Sequence, residues 1–199
     1  MDIDSLSAIK VNRKFGDEPF EHNSLQLPIN LLSFWQWSAS DIIGNAMRGI
    51  LAEYIVASSV GENSGVRTEW DAFDIKTTEG IKVEVKSAAY IQSWEQKKYS
   101  AVQFNIRTTR AWNQESNERS NEIIRQSDVY VFCLLKHKEQ NTINPLNLEQ
   151  WEFYVLPTET LNQVLDLQKT ITLNRLKALK PEKVGYNELY LAIKNAASV

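Results

Sequence analysis

Trp70-Asp71-Ala72-Phe73-Asp74-Ile75-Lys76-Thr77-Thr78-Glu79-Gly80-Ile81-Lys82-Val83-Glu84-Val85-Lys86-Ser87 is the stretch on which the reading of this 199-residue chain turns. Two runs rich in β-formers flank a polar turn, Thr77 to Gly80, and that arrangement signals a hairpin. Side chains of a strand alternate between faces, so Glu84 and Lys86 point one way while Val83 and Val85 point into a core. A turn centred near Glu79 sets Asp74 opposite Glu84 and gives Phe73, Ile75, Ile81, Val83 and Val85 a common apolar face. Asp71 has the parity of that apolar face, which makes Asp74 the better companion for Glu84. A bulge would reverse the choice.

Two carboxylates and a lysine on one face suit the chemistry of a hard divalent cation. Magnesium takes oxygen ligands, commonly one or two carboxylates with water and a substrate phosphate completing the shell. Such an ion polarises phosphorus, makes hydroxide available near neutral pH and stabilises charge on the leaving oxygen. Lys86 is suited to orienting the attacking water or neutralising developing charge, and a nearby cation would depress its pKa toward a useful range. The solvated outer face of any hairpin shows the same alternation. The pattern therefore needs a second element to give it meaning.

That element runs from Ser38 to Ala57. Ser38 with Asp41 three positions on reads as a capping box, and Ser40 is a rival cap, so a helix is expected to start here. Ile43, Met47, Ile50, Leu51, Tyr54 and Ile55 recur at helical spacing and are expected to face the core. Asn45, Gly49 and Glu53 form a different stripe, four residues apart, where a glycine would admit the close approach of another backbone. Glu53 on a partly buried helix needs a partner, either a metal or a base such as Arg48.

Taken together, Glu53, Asp74, Glu84 and Lys86 resemble the motif of the PD-(D/E)XK nuclease superfamily: a helix bearing a glutamate, a hairpin Asp, then (Asp/Glu)-x-Lys. Phe73 stands where many members carry proline. The resemblance spans about Ser38 to Leu156 and implies a restriction-endonuclease-like fold, a mixed β-sheet flanked by helices. It further implies hydrolysis of phosphodiester bonds with Mg2+ or Mn2+, by a DNA endonuclease of restriction or repair type. Asp74 and Glu84 would be metal ligands, the Val85 carbonyl would complete the shell, and Lys86 would assist the water. Glu53 would bind a second metal or tune the first. DNA is the expected substrate and RNA the alternative, and a homodimer would suit cleavage of both strands. Two rival readings are a non-catalytic module for nucleic-acid or protein contact on the same fold, and a globular protein with a structural calcium site.

The remaining segments agree with an α/β (α+β) class. Ala101–Ile106 alternates like a half-buried strand, and Asn121–Gln126 is short and helix-compatible. The continuous apolar run Val129–Leu135 predicts a central strand buried on both faces. Trp151–Leu156, ended by Pro157, predicts another strand. Thr158 is expected to cap a helix through Leu165, Lys169–Leu173 to form a short strand, and Tyr186–Ala197 an amphipathic helix. No linker divides the chain, so a single domain over residues 1–199 is expected, with additions at both ends of the core.

Composition adds exclusions. With 43% hydrophobic residues the chain can bury one core. The lone cysteine, Cys133, falls in the apolar run; it rules out an intrachain disulfide and fits a reducing cytoplasm. A basic-then-apolar leader and a membrane-length apolar run are both missing, so a cytoplasmic protein with no membrane contact is expected. Phosphate-cradling GxxxxGK[ST], dinucleotide GxGxxG and CxxC motifs do not occur, and His22 and His137 lie too far apart for metal-ligand spacing.

With 22 Lys and Arg against 25 Asp and Glu, the net charge of −3 gives no general basic surface. Any grip on nucleic acid must come from a local patch. Lys97-Lys98, Arg107 to Arg110 with Trp112, and Lys177, Lys180 and Lys183 are candidates. Arg107, Arg110 and Trp112 lead, because arginines beside an aromatic can hold phosphate and stack on a base. A solvated loop is the plain alternative for that segment. Asn45 and Gln103 are further candidates for substrate contact, and the polar run Asn113–Ser120 is expected to order on substrate.

Overall fold

The computed structural model describes residues 6–69, 71–113 and 116–198; Trp70, and positions 114 and 115 of the polar run, lie outside them. In chain order the elements are β1 (Pro19–His22), β2 (Leu25–Asn30), α1 (Leu31–Ala39), α2 (Asn45–Ser59), β3 (Ile75–Lys76), β4 (Lys82–Ala89), β5 (Gln103–Asn105), β6 (Trp112–Asn113), β7 (Glu118–Arg119), β8 (Val129–Leu135), β9 (Trp151–Pro157), α3 (Thr158–Leu165), β10 (Thr170–Thr172), α4 (Leu173–Ala178), β11 (Glu182–Val184) and α5 (Leu189–Ala196). Five strands form a mixed sheet in the order β11-β9-β8-β4-β3, with β4 and β8 parallel and the other neighbours antiparallel.

β8 lies at the centre with every residue buried, as its unbroken apolar run requires. Val129, Val131, Cys133 and Leu135 face α2 and α5, meeting Ala52, Ile55 and Val56 of the first and Leu189, Ala192 and Ile193 of the second. Tyr130, Phe132 and Leu134 face the opposite layer, built from Phe104 and Ile171 of the β5–β10 pair with Leu161 of α3 and Leu176 of α4. The fold is thus a mixed α/β sheet flanked by helices, the class that the sequence predicts. Cys133 is a core residue, and burial pushes its thiol pKa up. Among the described residues no helix is long and apolar enough to cross a membrane.

The hairpin follows its predicted register: Ile75 pairs with Val83 and Lys76 with Lys82, centred on Glu79. Gly80 closes the turn at φ +92°, a conformation that side-chain-bearing residues adopt only under strain. Ile75, Val83 and Val85 enter the core and Ile81 packs against it, whereas Phe73 does not join them. β3 is only two residues long, so beyond Asp74 it offers β4 no further ladder partner. On the β8 side the Lys82 carbonyl accepts the Asp128 N–H and the Lys82 N–H donates to Asp128 Oδ2, and on the β3 side the Val83 carbonyl accepts the Asp74 N–H at 3.1 Å. Because N–H and C=O groups alternate sides along a strand, Val85 also directs its backbone toward the side that β3 leaves open.

Several predicted details are corrected. Two helices replace the single one expected from Ser38. Asn30 and Ser33 form a reciprocal capping box that starts α1 earlier, Ser38 lies within it, and Ser40 is its C-cap. α2 begins only after Gly44, whose N–H donates to Asp41 Oδ1 at 2.9 Å. The buried stripe of α2 is Arg48, Ala52, Ile55 and Val56, leaving Ile50 and Tyr54 exposed. Small Ala52 is what lets the helix lie close on β4. At Gly49 a Cβ would meet nothing within 4 Å, so no backbone of the chain approaches it. Asn121–Gln126 is extended rather than helical, because buried Arg125 donates to the carbonyls of Ile106 (2.9 Å) and Asp166 (2.7 Å) and to Asn162 Oδ1 (2.8 Å). Thr158 is the buried first residue of α3, and Pro157 occupies the cap position. Ala101–Ile106, Trp151–Leu156, Lys169–Leu173 and Tyr186–Ala197 hold β5, β9, β10 and α5 as predicted.

Candidate active site

The open flank of β4 is where the predicted residues meet. Asp74, just before β3, turns its carboxylate toward β4 and accepts the Val85 N–H at 2.7 Å. Burial, reinforced by the Glu84 carboxylate, pushes the Asp74 pKa up to about 7, with Lys86 and the Val85 hydrogen bond opposing the rise. Lys86 Nζ is paired with Glu84, two positions back on the same strand face, and both side chains are partly buried. Asp74, Glu84 and Lys86 therefore form one electrostatic group, and Asp74 rather than Asp71 faces Glu84. Two carboxylates gathered in a partly buried site repel each other, and a cation relieves that repulsion.

Glu53 lies at the rim of this group. Its charge contributes to the Asp74 shift, but its carboxylate is held by the Arg67 guanidinium, with Nη2 at 3.1 Å from Oε1. The expected alternative partner, Arg48, is not used. Arg48 is only 3% exposed and donates to Ser87 Oγ (3.2 Å), the Ile43 carbonyl (2.8 Å), Gln92 Oε1 (3.1 Å) and Asn45 Oδ1 (2.5 Å). This network braces α2 against the strand that carries Lys86. Asn45, expected as a substrate contact, is one of its acceptors. Among the described residues, no group of three or more His, Cys, Asp and Glu side chains converges as a metal-ligand cluster. The oxygen donors brought together are Asp74, Glu84 and the Val85 backbone, with Glu53 turned to Arg67.

A cleft of about 290 Å³ opens beside the group, walled by Glu53, Tyr54, Arg67, Asp71, Phe73 and Asp74 among others. Asp71 also borders a second hollow lined by Arg110, Trp112, Asn117 and Arg119. Trp112 pairs with Arg119 across the β6–β7 ladder, and its Nε1 donates to Asn117 Oδ1 at 3.2 Å. Two of the predicted nucleic-acid contacts, Arg110 and Trp112, thus stand next to the cleft. Arg107 and Gln103 line neither hollow. Lys97 and Lys98 line a separate hollow with Trp94, Tyr99 and Lys138, Lys177 lies over the Tyr154 ring, and Lys183 pairs with Glu152 at 2.6 Å. Sequence reasoning missed Arg67 and Arg119. Arg67 lies in an irregular segment and Arg119 in a strand of only two residues, too short to show a period, and only the hairpin closure of β6 on β7 brings Arg119 beside Trp112.

The comparison with known families supplies the class, a nuclease. The model of the family described as bacteriophage T4 endonuclease IV matches residues 30–175, well over half of the chain, and the chain belongs to that family. The match takes in α1, α2, the hairpin, β8, β9 and the β6–β7 ladder. No curated protein matches the chain.

Proposed function

We propose that this nuclease is a metal-dependent DNA endonuclease of the PD-(D/E)XK type, with Asp74, Glu84 and the Val85 carbonyl as ligands of Mg2+ or Mn2+. One observation carries the reading: in a chain of an endonuclease family, two carboxylates and a lysine gather on the unpaired flank of one strand. The donor set fits a hard cation, since both side chains offer carboxylate oxygens and Asp74 is buried against its own like charge. When bound, the ion would neutralise charge on the phosphate oxygens and make hydroxide available near neutral pH.

The chain's own residues do the rest. The Val85 N–H fixes the orientation of the Asp74 carboxylate. Lys86, held by Glu84 until substrate arrives, orients the attacking water and offsets charge developing on the phosphate. Arg110 and Arg119 hold the substrate backbone beside the cleft, and Trp112 stacks on a base. Glu53 tunes the site through Arg67. The physiological role is of restriction or repair type, exercised in the cytoplasm.

The test is cleavage of circular and linear DNA, single- and double-stranded, with Mg2+ or Mn2+, by wild type, Asp74→Ala and Lys86→Ala. The expected result is metal-dependent cutting of circles, abolished by Asp74→Ala and lowered about 10²–10⁴-fold by Lys86→Ala. Folded wild type that cuts RNA but no DNA would refute the substrate. Folded wild type that cuts neither would leave a binding module as the better account.

A further inference from the structure

We infer that the N-terminal arm, β1, β2 and α1, is the contact surface of a homodimer, formed by packing the arm's apolar face against a second copy of this chain. From Asn23 to Ser40 the chain carries no charged residue. β2, Leu-Gln-Leu-Pro-Ile-Asn, alternates apolar and polar residues like a strand with one buried face. In the single chain that face is uncovered: Leu25 is 70% exposed, and Leu27 and Ile29 also stand in solvent. α1 continues the surface with Phe34, Trp35 and Trp37, the last 85% exposed, and it buries none of its residues. Six of the nine α1 residues are apolar, and a helix so rich in large apolar side chains is ordinarily covered on that face.

Among the described residues nothing of the arm's own chain supplies the cover. β1 and β2 form a separate two-stranded sheet, and α1 packs chiefly on β2. Arg13 tethers the segment, donating to the carbonyls of Asn63 (3.2 Å) and Ser64 (2.9 Å) in the loop after α2. A lone two-stranded hairpin is marginal in water and needs a second layer.

Charge and area choose the occupant. A nucleic acid or an anionic membrane would call for lysines and arginines, which this surface lacks. Taking about 150–250 Å² for a whole side chain of this size, the six named residues expose on the order of 700 Å². That exceeds the few hundred Å² a monomer usually leaves bare and approaches the ~800 Å² that each partner contributes to a stable pair. Pro19 and Pro28 interrupt the donor rows of both strands, so the copies meet face to face rather than edge to edge.

The experiment is sedimentation velocity of the full chain from about 1 to 100 μM without metal or DNA, so that it reads association independently of nuclease activity. Wild type is compared with Trp37→Glu and Leu25→Lys, on two separate elements, with circular dichroism confirming that each is folded. The expected result is a wild-type dimer whose dissociation constant rises at least ~100-fold in either folded variant. Two results would overturn the inference: a wild-type monomer at the highest concentration, or a dimer that neither folded variant weakens.

Discussion

On the proposed reading, Asp74 is the residue on which the chemistry and the pH response both depend. Its carboxyl ordinarily titrates near 3.8 and is raised to about 7 here, chiefly by burial and next by Glu84. A raised acid keeps its proton in the folded state where the unfolded chain has lost it, so metal-free stability falls as pH rises between those values. Asp74→Asn removes that penalty while keeping an acceptor for the Val85 N–H. In EDTA it should melt a few degrees above wild type at pH 8 and level with it near pH 4, by calorimetry; parallel curves at all pH values would contradict the assignment. The same proton competes with a cation, so thermal stabilisation by Mg2+ should be greater at pH 8 than at pH 6. Arg67 makes a separate prediction. Its pair with Glu53 is partly exposed, so Arg67→Ala should change stability by less than about 1 kcal/mol. If Glu53 tunes the metal, the same change should tighten Mn2+ binding several-fold by calorimetric titration; an unchanged affinity would confine Glu53 to an ion pair.

At the scale of elements, α2 carries two features that its sequence pattern alone does not separate. Gly49 has open space where a Cβ would stand, and it lies on the stripe with Asn45 and Glu53. Gly49→Ala should therefore stabilise α2 by about 0.5–1 kcal/mol in chemical denaturation. If KM for DNA rises in the same variant while kcat holds, the stripe faces substrate; unchanged kinetics would show that it does not. Arg48, next to that stripe and bonded to its Asn45, is buried with four acceptors from α2, β4, the segment before α2 and the segment after β4. Arg48→Ala leaves those acceptors without their donor and should cost about 2–4 kcal/mol. A loss below about 0.5 kcal/mol would mean that water replaces the guanidinium without penalty.

For the whole molecule, the sheet concentrates its core on β8, covered by α2 and α5 on one face and by α3, α4 and the β5–β10 pair on the other. Phe132, fully buried and edge-on to Phe104 with ring centroids 5.1 Å apart, is central to the second layer. Phe132→Ala should destabilise by about 3–5 kcal/mol in denaturant unfolding, a large fraction of the stability of any domain. β3 pairs only Ile75 and Lys76 with β4, so the ladder leaves the β4 edge open from Glu84 onward, while the cleft itself lies between α2, the segment that follows it and β3.

By itself the sequence determined the alternating hairpin, its centre at Glu79, the facing of Asp74 and Glu84, and the burial of β8. All four follow from strand periodicity and apolar content, which are local properties. The start of α2 was not legible, because Ser38 and Asp41 have capping-box spacing, whereas Ser38 lies inside α1, which the Asn30–Ser33 box starts, and Asp41 accepts the Gly44 N–H just ahead of α2. Only the tertiary structure decided that Arg67 rather than Arg48 holds Glu53, that Arg119 joins Trp112 beside the cleft, and that Arg125 keeps its segment extended. These are contacts between residues far apart in the chain or in irregular segments, and no periodicity reports the distance between elements that packing alone brings together.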